Sequence, residues 1–257
     1  MNSSISSRER QNQILQLVLR NQRIGISGVC EIFSVSEATA RRDLETLAGE
    51  RKIQRVHGGA IMLPQALSEL PILERQNEQS QEKGSIGQAA AALIKDGETI
   101  FLGSGTTVLE VARFLRGHHQ LTVITNSLPV VNILAGIEEI TVLCLGGVLR
   151  NSELSFIGHI TEQALAEVRA DKAFIGTRAI SLEYGLTNEF LPETLTDRAI
   201  LKVAREIFIL ADHTKLGRTA TVLLAPLERI NTIITDQAVS QEFLDAIQAR
   251  GIKVIRS

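Results

Sequence analysis

A glycine- and threonine-rich turn at residues 103–107 has the composition of an anion-binding site. The run Gly-Ser-Gly-Thr-Thr follows a short apolar stretch, Thr99–Leu102, that predicts a β-strand. Glycine allows a tight turn. The backbone N–H groups of Gly105, Thr106 and Thr107 would then point at an anion, with the dipole of the next helix behind them. No Gly-Lys-Ser or Gly-Lys-Thr ending follows, which excludes the nucleoside-triphosphate P-loop.

Further turns with polar donors follow later predicted strands in the same way. Each alone is often only a connection, but several at one edge of a sheet favour a shared site. Their N–H and O–H donors, with few carboxylates, suit a phosphate or a phosphorylated polyol better than a cation. The turns are Thr-Asn-Ser at 125–127, Gly-Gly at 146–147, Gly-Thr-Arg at 176–178 and the segment from Asp212 to Lys215.

From residue 82 onward, short apolar runs alternate with helical periodicity. This pattern predicts an α/β domain with a mainly parallel sheet covered on both faces, whose ligand binds at the carboxyl ends of the strands. The predicted strands are Thr99–Leu102, Leu121–Thr125, Ile140–Leu145, Lys172–Ile175, Ile207–Leu210, Thr232–Thr235 and Lys253–Ile255. The predicted helices are Ile86–Ile94, Val108–Leu115, Pro129–Leu134, Ile160–Val168, Leu195–Arg205 and Gln241–Arg250.

The first sixty residues predict the three helices of a helix-turn-helix unit. Apolar residues recur at helical spacing in Arg8–Arg20. Ser27 is expected to cap a short second helix, and Ser36 a third helix at Glu37–Ala48. Two short helices joined by a tight turn match the spacing of this motif. The buried stripe of the third helix is predicted to be Ala40, Leu44 and Leu47.

The opposite face of the third helix is polar and positively charged. In a helix-turn-helix unit, the start of this helix enters the major groove. Small side chains there allow close approach to base edges, and two arginines could reach phosphates or guanine. A solvated arginine pair on an ordinary helical bundle stays open as the alternative. The predicted DNA contacts of this helix are Ser36, Ala38, Thr39, Arg41 and Arg42.

The next segment predicts the β-hairpin wing of a winged helix. Residues 53–57 alternate like a strand, Gly58 and Gly59 supply a two-residue turn, and residues 60–63 can return. Arg55 and His57, near the tip, would contact phosphate or the minor groove. His57 has no second His or Cys at ligand spacing, so no metal site is predicted there.

Composition excludes several classes of protein. The chain of 257 residues is 44% hydrophobic and 22% charged, which is typical of a globular fold. Two distant cysteines, the absence of a signal peptide and the lack of a long apolar run favour a cytoplasmic protein without a membrane span.

Residues 1–60 hold nine Lys and Arg against six Asp and Glu, a net charge of +3, whereas the rest of the chain carries −5. A basic head on an acidic body suggests a polyanion-binding module.

Two domains joined by a linker are predicted. The length favours two domains. Pro64, Pro71 and a polar run at 76–81 lack sustained periodicity, which is typical of a linker, with a short docked piece around residues 70–73. The predicted boundaries are 1–63 for a winged helix-turn-helix, 64–81 for the linker and 82–257 for an α/β effector-sensing domain.

The N-terminal sequence resembles the DNA-binding head of the DeoR family of bacterial transcriptional regulators. The resemblance rests on V-S-E-A-T-A-R-R-D-L-E-T-L at 35–47 and R-V-H-G-G-A at 55–60. The strings F-L-G-S-G-T-T, V-I-T-N-S-L and L-A-D-H-T-K-L-G are similar to the effector domain of this family, which resembles ribose-5-phosphate isomerase. The chain departs from the family pattern at Ala40, Gly103 and Asp197.

The resemblance implies a repressor of carbohydrate genes that binds double-stranded operator DNA and is released by a phosphorylated sugar. By position, it implies a phosphate cradle at Ser104, Gly105, Thr106 and Thr107, with Asn126 and Ser127 nearby and Gly147, Glu193 and Lys215 lining the rest. It implies no catalytic residues, metal or cofactor. A homo-oligomer, dimer or tetramer, is expected because one winged helix buries too little surface for tight operator selection.

Two other interpretations stay open. The chain could be a sugar-phosphate isomerase or deaminase with a DNA-binding extension, since Glu193, Asp212 and Lys215 offer acid–base groups. Glycine at position 103 argues against this, because a carboxylate there could have reached the ligand. The chain could also be a constitutive DNA-binding protein with a degenerate sensor.

Overall fold

The computed structural model describes residues 5–21, 23–49, 52–62 and 71–257. The chain divides into two units, Met1–Glu69 and Leu70–Ser257. Residues 71–81, which the polar run assigned to a linker, belong to the second unit and contain a short helix. Residues 63–70, which include the end of the predicted wing and the first residue of the predicted docked piece, lie outside the described residues.

The first unit is three helices and a small antiparallel sheet with the strand order β1–β3–β2. The hairpin β2–β3 is the predicted wing, with Val56 paired to Gly59 across the turn. Strand β1 was not predicted, because three residues are too few to show alternation. The elements are α1 (Ser7–Asn21), β1 (Arg23–Gly25), α2 (Ile26–Phe33), α3 (Glu37–Gly49), β2 (Ile53–Val56) and β3 (Gly59–Met62).

Local capping explains where the helices of the first unit begin and end. Helix α2 begins at Ile26 after an extended Gly25, so the prediction that Ser27 caps it is wrong. It ends at Ser34, whose left-handed backbone (φ 52°) starts the turn to α3. The predicted cap of α3 is confirmed, because the Oγ of Ser36 accepts a hydrogen bond from the backbone N–H of Thr39 at 3.3 Å.

A buried ion pair joins α1 to α3. The Nε of Arg10 lies 2.6 Å from Oδ2 of Asp43, and Gln11 donates to Oδ1 of the same carboxylate at 2.9 Å. The apolar core beneath it includes Ala40, Leu44 and Leu47, as the periodicity of α3 predicted. The pair and the core fix the exposed face of α3 relative to α1.

The second unit begins with two helices and is built on a seven-stranded sheet in the order β15–β14–β12–β9–β4–β5–β6. All neighbouring strands in it are parallel. The helices are α4 (Ile72–Arg75), α5 (Ser80–Ala91), α6 (Thr106–Arg113), α7 (Leu128–Leu134), α8 (His159–Ala166), α9 (Leu191–Ile200) and α10 (Gln241–Gln248). The sheet strands are β4 (Thr99–Leu102), β5 (Leu121–Thr125), β6 (Ile140–Cys144), β9 (Ala170–Gly176), β12 (Ala204–Leu210), β14 (Thr232–Thr235) and β15 (Lys253–Arg256).

Along each central strand, successive side chains belong alternately to two apolar clusters. Phe101 belongs to one cluster, whereas Ile100 and Leu102 belong to the other. Phe174 and Phe208, on neighbouring strands, stack with ring centroids 4.8 Å apart. Strands covered on both faces carry few polar residues, which is why the apolar runs predicted all seven.

The antiparallel pieces and several helix boundaries differ from prediction. Helix α5 begins at Ser80, six residues before the predicted start at Ile86. A hairpin, β7 (Val148–Arg150) and β8 (Ser155–Ile157), follows β6. A three-stranded sheet joins β10 (Ala179–Ser181), β11 (Gly185–Asn188) and β13 (Val222–Ala225). The predicted helix Leu195–Arg205 is wrong at both ends, because α9 begins at Leu191 and Ala204 already pairs with Ala170 in the sheet.

We expect Gly87→Ala to lower the free energy of unfolding by about 1–3 kcal/mol. Helices α5 and α6 meet at Gly87, where an added Cβ would lie 2.5 Å from the Cβ of Glu110 and 2.9 Å from its backbone carbonyl carbon. Since α6 carries the predicted cradle at its N-terminus, the same change should displace that turn. Urea denaturation measures the loss.

Gly84→Ala is the matched control. Gly84 lies one turn earlier in α5 and has no atom within 4 Å of an added Cβ. Alanine there should stabilise the helix by about 0.5–1 kcal/mol. Equal stabilisation of both variants would contradict the close contact between α5 and α6.

Candidate functional site

A cleft lies at the carboxyl ends of the central strands β4, β9 and β12. Six of the sequence-predicted residues line it: Ser104, Gly105, Thr106, Thr107, Glu193 and Lys215. Its other polar lining residues are Arg75, Glu78, Lys83, Glu153, Thr177, Arg178, Asn188, Asp197 and Asp212. The edge of the sheet therefore gathers groups that lie up to 140 positions apart in the chain, between residues 75 and 215.

The turn after β4 has the geometry of an anion cradle. Gly105 adopts φ 109° and ψ 154°, a conformation open only to glycine, and caps α6. The backbone N–H groups of the first helical turn have no partner inside a helix, so those of Thr106 and Thr107 point out of its N-terminus. Both threonines are buried, and they line the cleft. This arrangement can bind one phosphate-sized anion.

Two lysines, the buried Lys83 and the half-buried Lys215, add positive charge to the cleft. Lys83, on α5, donates from Nζ to the backbone carbonyl of Arg75 at 2.8 Å. Lys215 follows β12 in the short turn that Asp212 caps. Burial lowers the pKa of both ammonium groups, and the charge of Asp212 opposes this. An anion bound in the cleft would favour their charged forms.

Glu153 holds two arginines at the cleft wall. Its carboxylate lies 2.5 Å from Nη2 of Arg75 and 2.9 Å from Nη2 of Arg178. Arg75 comes from α4, Glu153 from the turn between β7 and β8, and Arg178 from the residues after β9. The ion pairs therefore tie three separate parts of the second unit together.

Helix α9 presents two further carboxylates to the cleft. Glu193 forms a salt bridge with Arg150, whose guanidinium lies 4.6 Å above the ring centroid of Phe190. Asp197, one turn later, accepts a hydrogen bond from Nδ2 of Asn188 at 2.9 Å. Burial raises the pKa of both carboxyls, and that of Asp197 is raised further by the charge of Glu193.

Three predicted ligand residues lie outside the lining of this cleft. Asn126 donates from Nδ2 to the carbonyl of Phe156, and its own backbone carbonyl accepts from the N–H of Phe156, so it holds strand β8. The backbone N–H of Ser127 is bonded to Oγ1 of Thr125. Gly147 packs so closely on Thr161 that a Cβ would lie 2.1 Å from its Oγ1. These residues position the hairpin that carries Glu153.

Sequence reasoning missed several residues that the fold brings into the cleft. Arg75 lay in the predicted linker, and Glu153 lies in a hairpin turn that no periodicity marked. Lys83 did carry a signal, because it precedes Ile86 and Ala90 by three and seven positions and so falls on the buried face of α5. Among the described residues, no group of three or more His, Cys, Asp or Glu side chains could hold a metal ion.

The structure brings the predicted DNA contacts together on α3 and the wing. Ser36, Ala38, Arg41 and Arg42 are exposed, and Thr39 is half-buried beside its bond to Ser36. Arg41 pairs with Glu37 at 2.5 Å on the helix surface. On the hairpin, Arg55 donates to the carbonyl of Gly59 at 2.9 Å, and His57 is exposed at the turn.

Family models match both units of the chain. Residues 10–66 match the DeoR-like helix-turn-helix domain, and residues 78–237 match the DeoR C terminal sensor domain. The chain belongs to the DeoR family of transcriptional regulators. The predicted fold class, a winged helix-turn-helix followed by an α/β sensor domain with a parallel sheet, is confirmed.

Relatives match over nearly their whole length. The chain is 35% identical to the transcriptional repressor GlcR of Bacillus subtilis over 96% of this chain and 95% of that protein. It is 34% identical to the glycerol-3-phosphate regulon repressor of Escherichia coli over 89% and 90%. Because the family and its named members are regulators, the prediction that the chain is not an enzyme is confirmed, and the isomerase or deaminase interpretation is set aside.

Among solved structures, part of the chain is similar to ribose 5-phosphate isomerase A of Methanocaldococcus jannaschii. That match has 21% identity and a TM-score of 0.40, and it covers 54% of this chain and 55% of that one. None of the helices within the described ranges is long and apolar enough to cross a membrane.

Asp197→Asn is expected to raise the melting temperature at pH 7. Burial raises the pKa of Asp197 in the folded protein above its value in the unfolded chain, so the folded state binds the proton more tightly. The resulting stability is present below the unfolded pKa and is lost as the pH rises through the folded pKa. Asparagine carries no charge to bury, and its gain should vanish below about pH 4.

Asp236→Asn is the matched control with the opposite sign. Burial alone would raise the pKa of Asp236, but hydrogen bonds from the N–H groups of His213 and Ala238 outweigh it and lower the pKa. The stability from this carboxylate is present above the unfolded pKa and is lost in acid. Asparagine should therefore lower the melting temperature at pH 7. Equal shifts of the same sign in both variants would contradict the assignment of the two environments.

Proposed function

We propose that this protein is a repressor of carbohydrate-metabolism genes. It binds double-stranded operator DNA and is released from it by a phosphorylated sugar. The observation that carries the proposal is the cradle at Gly105, which opens into a cleft lined by Lys83 and Lys215. The relatives include a glycerol-3-phosphate regulon repressor and a putative aga operon transcriptional repressor, and the first of these names supports a phosphorylated effector. The proposal places the protein in the cytoplasm.

The DNA-reading surface is the exposed face of α3. Its first turn carries Ala38 and Thr39, whose small side chains leave room for base edges in the major groove. Arg41 and Arg42 follow and reach the phosphates on either side. Arg55 and His57, on the wing, contact the neighbouring backbone or minor groove. Of these, the arginines supply most of the salt-dependent affinity.

The effector phosphate binds the N–H groups of Thr106 and Thr107, with the Ser104 backbone and Lys215 beside it. The remaining polar groups of the cleft take the hydroxyls of the sugar. Asn126, Ser127 and Gly147, which the family resemblance placed near the ligand, act on this proposal through the hairpin that they hold rather than by contact.

Release follows from a shift between two arrangements of a homo-oligomer, a dimer or a tetramer. The effector prefers the arrangement in which paired winged helices do not match the half-site spacing of the operator. It can change DNA affinity only by as much as it discriminates between the two arrangements, typically about 1–3 kcal/mol.

Arg42→Ala should weaken DNA binding and leave effector binding intact. Losing one phosphate contact lowers the affinity for all sequences and reduces the slope of log K against log salt by about 1. Fluorescence anisotropy over a salt series measures both. Arg229→Ala, which removes an exposed arginine of the second unit, is the control and should change neither. An unchanged slope in Arg42→Ala would contradict the role of α3.

Thr106→Ala should produce the reverse phenotype. The variant keeps the DNA affinity of the wild type but no longer responds to effector, since a buried hydroxyl of the cradle is lost. A thermal-shift screen of phosphorylated sugars identifies the effector first, because a ligand stabilises the fold according to its saturation. If Thr106→Ala and Arg42→Ala each reduce DNA binding and effector binding equally, the assignment of these functions to separate units is wrong.

A further inference from the structure

Two neighbouring carboxylates on α9 form one wall of the cleft. Glu193 and Asp197 are one helical turn apart, so their side chains share a face of the helix. Both are more than nine-tenths buried, with 7% and 8% of their surfaces exposed. Buried carboxylates need hydrogen-bond donors, and the donors present here are few.

One carboxylate oxygen of Glu193 is left for a ligand. Its Oε2 takes the guanidinium of Arg150, whereas its Oε1 is buried and has no hydrogen-bond partner among the described residues. Asp197 accepts from the neutral side-chain amide of Asn188. The wall therefore presents hydrogen-bond acceptors to the cleft. Neither carboxylate can donate a hydrogen bond when both are ionised.

The arginines whose charges act on this wall, Arg150 and Arg178, are already engaged by carboxylates. Arg150 pairs with Glu193, and Arg178 pairs with Glu153, which also holds Arg75. The charge of Asp212 acts on both lysines of the cleft. A second anionic group on a ligand would meet two carboxylates here, whereas a donor would complete their hydrogen bonds.

We propose that Glu193 and Asp197 form an acceptor subsite that selects effectors with a hydroxyl or ammonium donor beyond the phosphate and rejects effectors with a second anionic group. This inference rests on the proposed function, because it takes the phosphate to bind at the cradle. It narrows the effector class to monophosphorylated sugars or polyols, and amino derivatives of these bind more tightly still.

The preference for an ammonium group follows from the charge of the wall. Burial raises the pKa of both carboxyls, so the empty cleft holds two carboxylates that ionise with difficulty. A ligand ammonium supplies both a donor and a compensating charge, whereas a hydroxyl supplies only the donor. The amino ligand should therefore bind more tightly than its hydroxyl analogue at a pH where its ammonium group is charged.

Calorimetric titration of the full-length protein tests the inference with matched ligands. Fructose 6-phosphate and fructose 1,6-bisphosphate differ in a hydroxyl against a second phosphate, and glucose 6-phosphate and glucosamine 6-phosphate differ in a hydroxyl against an ammonium. Inorganic phosphate is the reference for the cradle alone. For the wild type we expect the monophosphate to bind at least about tenfold more tightly than the bisphosphate.

Variants that change the charge of Asp197 test whether this residue causes the two ligand preferences. Asp197→Asn should reduce both preferences, and Asp197→Lys should invert the preference between monophosphate and bisphosphate. Asp245→Asn removes an exposed carboxylate on α10 and should leave both ratios as in the wild type. Circular dichroism confirms that each variant is folded, and Asp197→Asn is the variant expected to gain stability.

The outcomes separate this inference from the proposed function. If neither inorganic phosphate nor any sugar phosphate binds the wild type, the proposed function fails and the subsite fails with it. If phosphate binds but the bisphosphate binds as tightly as the monophosphate, the subsite is overturned and the proposed function stands. The subsite is also overturned if no sugar phosphate binds more tightly than phosphate, or if Asp197→Asn keeps the wild-type ratios.

Discussion

The ion pairs around Glu153 are the interaction on which the cleft depends. One buried carboxylate holds Arg75 and Arg178 and thereby fixes α4, the β7–β8 hairpin and the residues after β9. Breaking such a pair leaves uncompensated buried charge, which is more costly than never having buried it. Arg75 lies only a few residues beyond the segment that leads to the first unit. A ligand that competes for Arg75 therefore acts on the part of the sensor nearest, in sequence, to the DNA-binding unit.

The cleft combines groups that favour binding with groups that reduce stability. The cradle at Gly105 and the lysines provide positive potential. Burial strengthens this potential and also raises the free-energy cost of keeping the lysines charged. The carboxylates of α9 are held by Arg150 and Asn188, yet burial still raises their pKa values. Residues that cost folding stability and face a cleft are characteristic of functional sites. A metabolite that pairs with these buried charges and hydrogen-bonding groups would stabilise one conformation of the second unit. A sensor needs such a ligand-dependent conformation.

The sequence predicts the parallel sheet well because each central strand is covered on both faces. Runs such as 207–210 are continuously apolar for this reason, and the turns after them could be placed at one edge. The antiparallel pieces were missed, because β7, β8 and β10 are only three residues long, which is too short to show alternation. Within the site, the local signal at 103–107 predicted the cradle. Arg75 and Glu153 could not be predicted, since they enter the cleft through long-range ion pairs and not through periodicity.

We propose that occupancy of the cleft and the affinity for operator DNA are thermodynamically linked. The most direct measurement is the affinity for an operator selected from random-sequence DNA, taken with and without a saturating sugar phosphate, together with the affinity for that sugar phosphate with and without DNA. We expect both affinities to fall by the same factor, about 5–150-fold. A ligand that saturates the cleft and leaves the DNA affinity unchanged would contradict it.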